Sequence, residues 1–166
     1  MQFDLNNKTA LITGGSRGIG KAVALTLADH GMNIALCGRT VETLDATATE
    51  IRSRGVQAYP FQADVSQRDN IDKLIENTLL KSKRIDVLVN NAVTSTSARF
   101  DELTDDEFQY HIDVKLMAYI RVARKILQTM AANGSGRIVN VGGMTARIVA
   151  PLRMTCLLYT SPSPRD

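Results

Sequence analysis

Cysteine is scarce in this chain. Cys37 and Cys156 are the two found in 166 residues, with no Cys-x-x-Cys spacing and no nearby histidine pair. A disulfide scaffold and a structural zinc site are therefore poor readings, and no metal is expected. Long apolar runs are missing as well: none approaches the ~20 residues that span a bilayer. The opening Met1-Gln2-Phe3-Asp4-Leu5-Asn6-Asn7-Lys8 lacks the basic and apolar regions of a signal peptide. The expectation is a soluble, cytoplasmic chain with no membrane partner. Nor is charge of one sign concentrated. Twenty Lys+Arg against 17 Asp+Glu leave a net charge of +3. The basic residues are scattered, which argues against nucleic acid and suits a polyanionic small molecule. No internal repeat is visible.

What is present is an alternation of short apolar runs with longer amphipathic stretches, the pattern of a parallel sheet with crossover helices. Thr9–Thr13 reads as the first strand. Ile19, Val23 and Leu27 mark the buried side of the helix after it, and Gly31 stands where a glycine ends such a helix. Asn33–Cys37 is the second strand. The next helix carries Leu44, Ala48 and Ile51 on one face, with Gly55 beyond it. Residues 56–63 form a third strand interrupted by Pro60, and a proline lacks the ladder donor, so this strand belongs at a sheet edge. Ile71, Leu74, Ile75 and Thr78 mark a third helix, and 85–89 a fourth strand. Thr104 and Glu107 have the spacing of a capping box. They open a long helix with the expected buried stripe Phe108, Ile112, Leu116, Tyr119, Ala123, Ile126 and Met130. Gly134-Ser135-Gly136 breaks it, and 137–141 is the fifth strand.

Chemistry is concentrated where strands end. Gly14-Gly15-Ser16-Arg17-Gly18-Ile19-Gly20 lies between the first strand and its helix. There glycines let backbone N–H groups approach a pyrophosphate and the helix N-terminus stabilises its charge. Gly15, Gly20 and Lys21 also match the spacing of a triphosphate-binding loop, but Ala22 follows where a hydroxyl would hold Mg²⁺. Asp64-Val65 ends the third strand and Asn90-Asn91-Ala92 the fourth. In open α/β sheets ligands bind at the carboxyl ends of strands, so these segments are expected around one crevice.

Together these motifs resemble the short-chain dehydrogenase/reductase family, and the resemblance runs from Leu5 to about Pro151. It implies a Rossmann-type doubly wound parallel sheet, incomplete here, with five strands in the order 3-2-1-4-5 and helices on both faces. It implies hydride transfer between a nicotinamide cofactor and a carbonyl/alcohol substrate, the 3-oxoacyl type among the candidates, by a parent that is a homo-oligomer. Gly14, Ser16, Arg17, Gly18 and Ile19 would then line the diphosphate and ribose, Asp64 and Val65 would hold the adenine, and Asn91 and Ala92 would sit beside the ribose. The tip of the second strand is Gly38-Arg39. No carboxylate stands there to bind the 2′-hydroxyl of NAD, and Arg39 and Arg17 could meet a 2′-phosphate, so NADP is expected over NAD. The plainer alternative is that both arginines are solvated surface residues.

The same resemblance implies a catalytic tetrad of Asn, Ser, Tyr and Lys, and this sequence departs from every member. Lys115 stands at the Asn position and Gly143 at the Ser position; Thr145 is a remote substitute. A Tyr-x-x-x-Lys spacing is absent, since Tyr159 lies beside Pro162 and Pro164. Lys115 is expected to snorkel its ammonium to water from the edge of the helix. No catalytic residue is assigned and the chain is expected to be inactive; the alternatives are a silent dinucleotide-binding module and a fragment with no function. Residues 1–155 are expected to form the NAD(P)-binding domain. Back-translated, 156–166 resemble an adapter used in transposase-based sequencing libraries, so a non-native or disordered tail is expected after a break near Thr155.

Overall fold

A computed structural model describes residues 4–94 and 100–143. Thr145, Tyr159 and the 156–166 tail lie outside the described residues. Five strands form one parallel sheet: β1 (Thr9–Thr13), β2 (Asn33–Gly38), β3 (Ala58–Gln62), β4 (Val87–Asn90) and β5 (Arg137–Asn140). Their order is β3-β2-β1-β4-β5, as expected, with Thr9 opposite Asn33 and Ala10 opposite Val87. β1 is central and buried along its whole length. Its alternate residues serve two cores: Leu11 packs with Ala35 and Leu88 on one face, Ala10 and Ile12 with Ile34 and Leu36 on the other. Burial on both faces is what makes such strands nearly continuously apolar. Pro60 sits opposite Leu36 on β3, at the sheet edge where its missing N–H leaves no interior ladder gap.

Helix α1 (Gly18–Asp29) departs from the expected stripe. Its buried residues are Gly20, Ala24 and Ala28, while Ile19 is 64% exposed. The helix approaches the sheet closely, so small residues occupy its contact line; Val23 and Leu27 flank it, half-buried. Gly31 follows the helix at φ +82°, the left-handed position expected of it. Helix α2 (Val41–Arg52) buries Leu44, Ala48 and Ile51, and α3 (Arg68–Ser82) buries Ile71, Leu74, Ile75 and Thr78, both as read from their spacing.

The long helix is three pieces. α4 (Asp105–Ile112) begins with the capping box, in which the Thr104 hydroxyl accepts from the Glu107 N–H and the Glu107 carboxylate accepts from the Thr104 N–H. A π-helical turn, Asp113–Met117, leads into α5 (Ala118–Ala132). The wider turn shifts the helical phase, so the buried line runs through His111, Val114, Lys115, Ala118, Val122, Ile126 and Met130. The expected stripe is fully buried at Ile126 and Met130, and Ala123 packs half-buried against the same core; Leu116 faces outward at 40% exposure. No helix among the described residues is long and apolar enough to cross a membrane.

Candidate functional site

The carboxyl ends of β1, β2, β3 and β4 open onto a cleft of about 360 Å³. It is lined by Gly14, Ser16, Arg17, Gly18 and Ile19 from the first turn, Gly38 and Arg39 from the tip of β2, Asp64 and Val65 after β3, and Asn91 and Ala92 after β4. Every residue that the sequence assigned to a cofactor is thus brought to one place. The exposure of Ile19 has its explanation here, since it faces the cleft instead of the sheet.

The turn after β1 is built by close approach. Gly14 has φ +65°, and a Cβ on it would lie 3.0 Å from the Ala92 Cα. A Cβ on Gly20 would collide with the Gly14 carbonyl. Thr13 clamps the β4 end from beneath, its hydroxyl accepting from the N–H groups of Asn91 (3.0 Å) and Ala92 (3.1 Å). Asn91 returns the contact, its side-chain amide donating to the carbonyls of Thr13 and Gly14, both at 3.1 Å. Gly18, at φ +55°, meets no atom within 4 Å of its would-be Cβ. This is the arrangement of a backbone cradle: rigid glycines below, an open glycine above.

Its electrostatics suit an anion. Arg17 and Arg39 stand exposed at the cleft, and among the described residues neither forms an ion pair with a carboxylate. Asp64 is the acidic residue of the lining, and its Oδ1 accepts from the Ser66 N–H at 2.9 Å. At the tip of β2, a Cβ on Gly38 would lie 2.9 Å from the Ser16 hydroxyl, so a side chain there would require that hydroxyl to shift. Below the floor, burial pushes the Cys37 thiol up to about 12, which makes it an inert part of the core.

Tyr110 and Val114 also line the cleft. The sequence reading missed both, because the expected stripe placed the buried face elsewhere on this helix. Their spacing of four residues was the available signal, and it became meaningful only once the π-turn was known.

Lys115 overturns its expectation. It is 8% exposed and does not snorkel. Its ammonium donates to the Val141 carbonyl at 2.6 Å and the Tyr119 hydroxyl at 2.8 Å, and sits 4.8 Å from the centre of that ring. The Tyr119 hydroxyl lies 3.3 Å from the Ala92 carbonyl, and burial pushes its pKa up. The pair therefore braces the ends of β4 and β5 from inside. Gly143 lies just beyond β5, half-buried.

A parallel α/β sheet with a glycine-turn crevice beside its topological switch point defines a Rossmann-type protein. The pattern of the short chain dehydrogenases matches residues 8–155, and the chain belongs to that family. A 3-oxoacyl-[acyl-carrier-protein] reductase from a Synechocystis strain is 36% identical over 148 residues, covering 89% of this chain and 60% of the reductase. The chain thus spans about three fifths of that curated relative's length. A metagenomic short-chain oxidoreductase in complex with NADP superposes with a TM-score of 0.85 at 31% identity, over 92% of this chain and 71% of that one. An NAD⁺-bound xylitol dehydrogenase superposes at 0.86 with 27% identity, over 93% and 60%.

Proposed function

We propose that the cleft binds NADP(H), and that the parent protein transfers hydride between this cofactor and a carbonyl/alcohol substrate. The observation that carries the reading is the convergence of the glycine cradle with two arginines that, among the described residues, form no ion pair with a carboxylate. The cofactor fits these residues. Gly14, Ser16, Arg17, Gly18 and Ile19 would hold the diphosphate, with Arg39 at the 2′-phosphate, Asp64 and Val65 at the adenine, and Asn91 and Ala92 at the nicotinamide ribose. Bound there, the cofactor supplies the hydride; this chain's part is to bind and orient it. Solved relatives carry either NADP or NAD⁺, so the preference rests on Gly38 and Arg39. The name of the Synechocystis relative supports a 3-oxoacyl thioester as the substrate class. The domain would comprise residues 1–155, and the parent would be a homo-oligomer.

The chain itself is proposed to bind without turning over. A positioned acid is typically worth 10²–10⁴-fold in rate. Lys115 and Gly143 stand at two of the positions where the family resemblance puts catalytic groups, and the Lys115 ammonium is committed to Val141 and Tyr119. That commitment also favours a second reading, a silent dinucleotide-binding module. Titrating NADP and NAD at fixed ionic strength is the test, and NADP is expected to bind about tenfold tighter or more. A clear NAD preference would overturn the assignment of Gly38 and Arg39. NADPH consumption with 3-oxoacyl thioesters or ketones, well above background, would overturn the proposed inactivity.

A further inference from the structure

Tyr110 belongs to none of the motifs, yet its side chain lines the cleft and contacts two residues on it. Its hydroxyl accepts from the Arg39 Nη1 at 3.0 Å and donates to the Asp64 Oδ2 at 3.4 Å. One accepted and one donated bond are compatible demands on a phenol. Arg39 leaves from the tip of β2, where the Gln62 side-chain amide pins its carbonyl at 3.0 Å. Tyr110 arrives from α4, on the other side. The Arg39–Tyr110 bond therefore straps the two walls together over Asp64.

Two consequences follow for the guanidinium. An untethered surface arginine samples many rotamers, whereas one held at a single nitrogen is pre-organised, which lowers the ordering cost of binding. The hydroxyl also stands between Arg39 and Asp64, which form no direct ion pair within 4 Å. Without it the guanidinium could collapse onto the carboxylate of the same cleft, which would take up its donors and offset its field. With it, among the described residues, the guanidinium has no carboxylate on it and spends one of its five donors.

We propose that Tyr110 is a specificity-determining residue: it holds Arg39 across the adenine end of the cleft, so that the remaining guanidinium donors meet a 2′-phosphate. The proposal rests on the dinucleotide reading given above. A phosphate dianion takes a bidentate, charge-assisted pair from arginine, while the 2′-hydroxyl of NAD offers no anion and gains nothing from the strap.

Isothermal titration of the whole chain with 2′,5′-ADP and with 5′-ADP, at fixed ionic strength, tests it. Wild type is expected to prefer 2′,5′-ADP. Tyr110→Phe, which keeps the ring and removes the hydroxyl, is expected to weaken 2′,5′-ADP about three- to tenfold and leave 5′-ADP within about twofold. Arg39→Ala should abolish the preference, and adding Tyr110→Phe to it should change nothing further. Equal weakening of both nucleotides by Tyr110→Phe would make the phenol a wall and overturn the proposal, as would no effect on either. A wild type that binds both without preference overturns the proposal alone. A wild type that binds neither overturns the dinucleotide reading, and the strap with it.

Discussion

Glycines at this cleft are required for different reasons, and those reasons are separable. Gly20 is a close-approach glycine, because any Cβ there meets the Gly14 carbonyl and the Asn91 side chain. Gly18 is a conformational glycine: its φ of +55° disfavours a side chain, but the space around it is open. Gly20→Ala is therefore expected to cost about 2–3 kcal/mol through overpacking, even after the ~1 kcal/mol of helix propensity it gains. Gly18→Ala is expected to cost about 1–2 kcal/mol through backbone strain alone. Urea denaturation of the two variants checks this, and equal losses would refute the distinction. Gly18 and Gly20 look alike in the sequence. Their difference is a matter of what lies opposite, which no local spacing reports.

Between helix and strand, the π-turn at Asp113–Met117 decides more than its length suggests. It rotates the helical face, so that Val114 turns to the cleft and Lys115 turns inward. The Lys115–Tyr119 pair then joins β4 to β5 through the Ala92 and Val141 carbonyls. A buried acceptor left without its charged donor loses a bond worth about 1.5–3 kcal/mol. Lys115→Met, similar in length but without donors, is expected to destabilise by that amount. Tyr119→Phe should cost less, about 0.5–1.5 kcal/mol, because Lys115 keeps its bond to Val141. Thermal unfolding followed by circular dichroism distinguishes the two. A Lys115→Met variant as stable as wild type would mean that the ammonium is not bracing the strands.

For the molecule as a whole, stability toward acid is expected to fall in two stages. Burial holds the His111 pKa below its ordinary value, against the raising effect of the Glu107 charge; its Nδ1 is hydrogen-bonded to the Thr94 hydroxyl. The unfolded chain takes up that proton first, so stability present above about pH 6.5 is lost as pH falls toward the folded value. Asp86 comes second. Burial works to raise its pKa, but hydrogen bonds from Arg84 (2.8 Å) and the Thr9 N–H (2.9 Å), with the charges of Arg84 and Lys8, overcome this and hold it low. Its contribution is complete above about pH 4 and is lost below. Glu107, held low by the Thr104 N–H and hydroxyl of the capping box, adds to this later stage. Urea midpoints measured from pH 8 to 3 should show both stages. His111→Gln should remove the first, and Asp86→Asn should flatten the second and cost about 1–3 kcal/mol at neutral pH. A profile unchanged in both variants would refute the assignment.

The sequence by itself determined the strands, their parallel order and the three segments that meet at the cleft. Thr9–Thr13 is apolar enough to be central, Pro60 marks an edge, and motifs at strand ends converge because a parallel sheet points all its carboxyl ends one way. Tertiary structure decided which faces of α1 and of the α4–α5 helix are buried, whereas the faces of α2 and α3 were legible in their spacing. Close packing against the sheet selected Gly20, Ala24 and Ala28 over Ile19 on α1, and the π-turn brought Lys115 inside against its hydrophilic character. It also decided the company of Arg39: Tyr110 lies 71 positions away in the chain, and only the fold brings its hydroxyl between that guanidinium and Asp64. Periodicity records the average face of a helix, whereas long-range partners are set by where the elements finally pack.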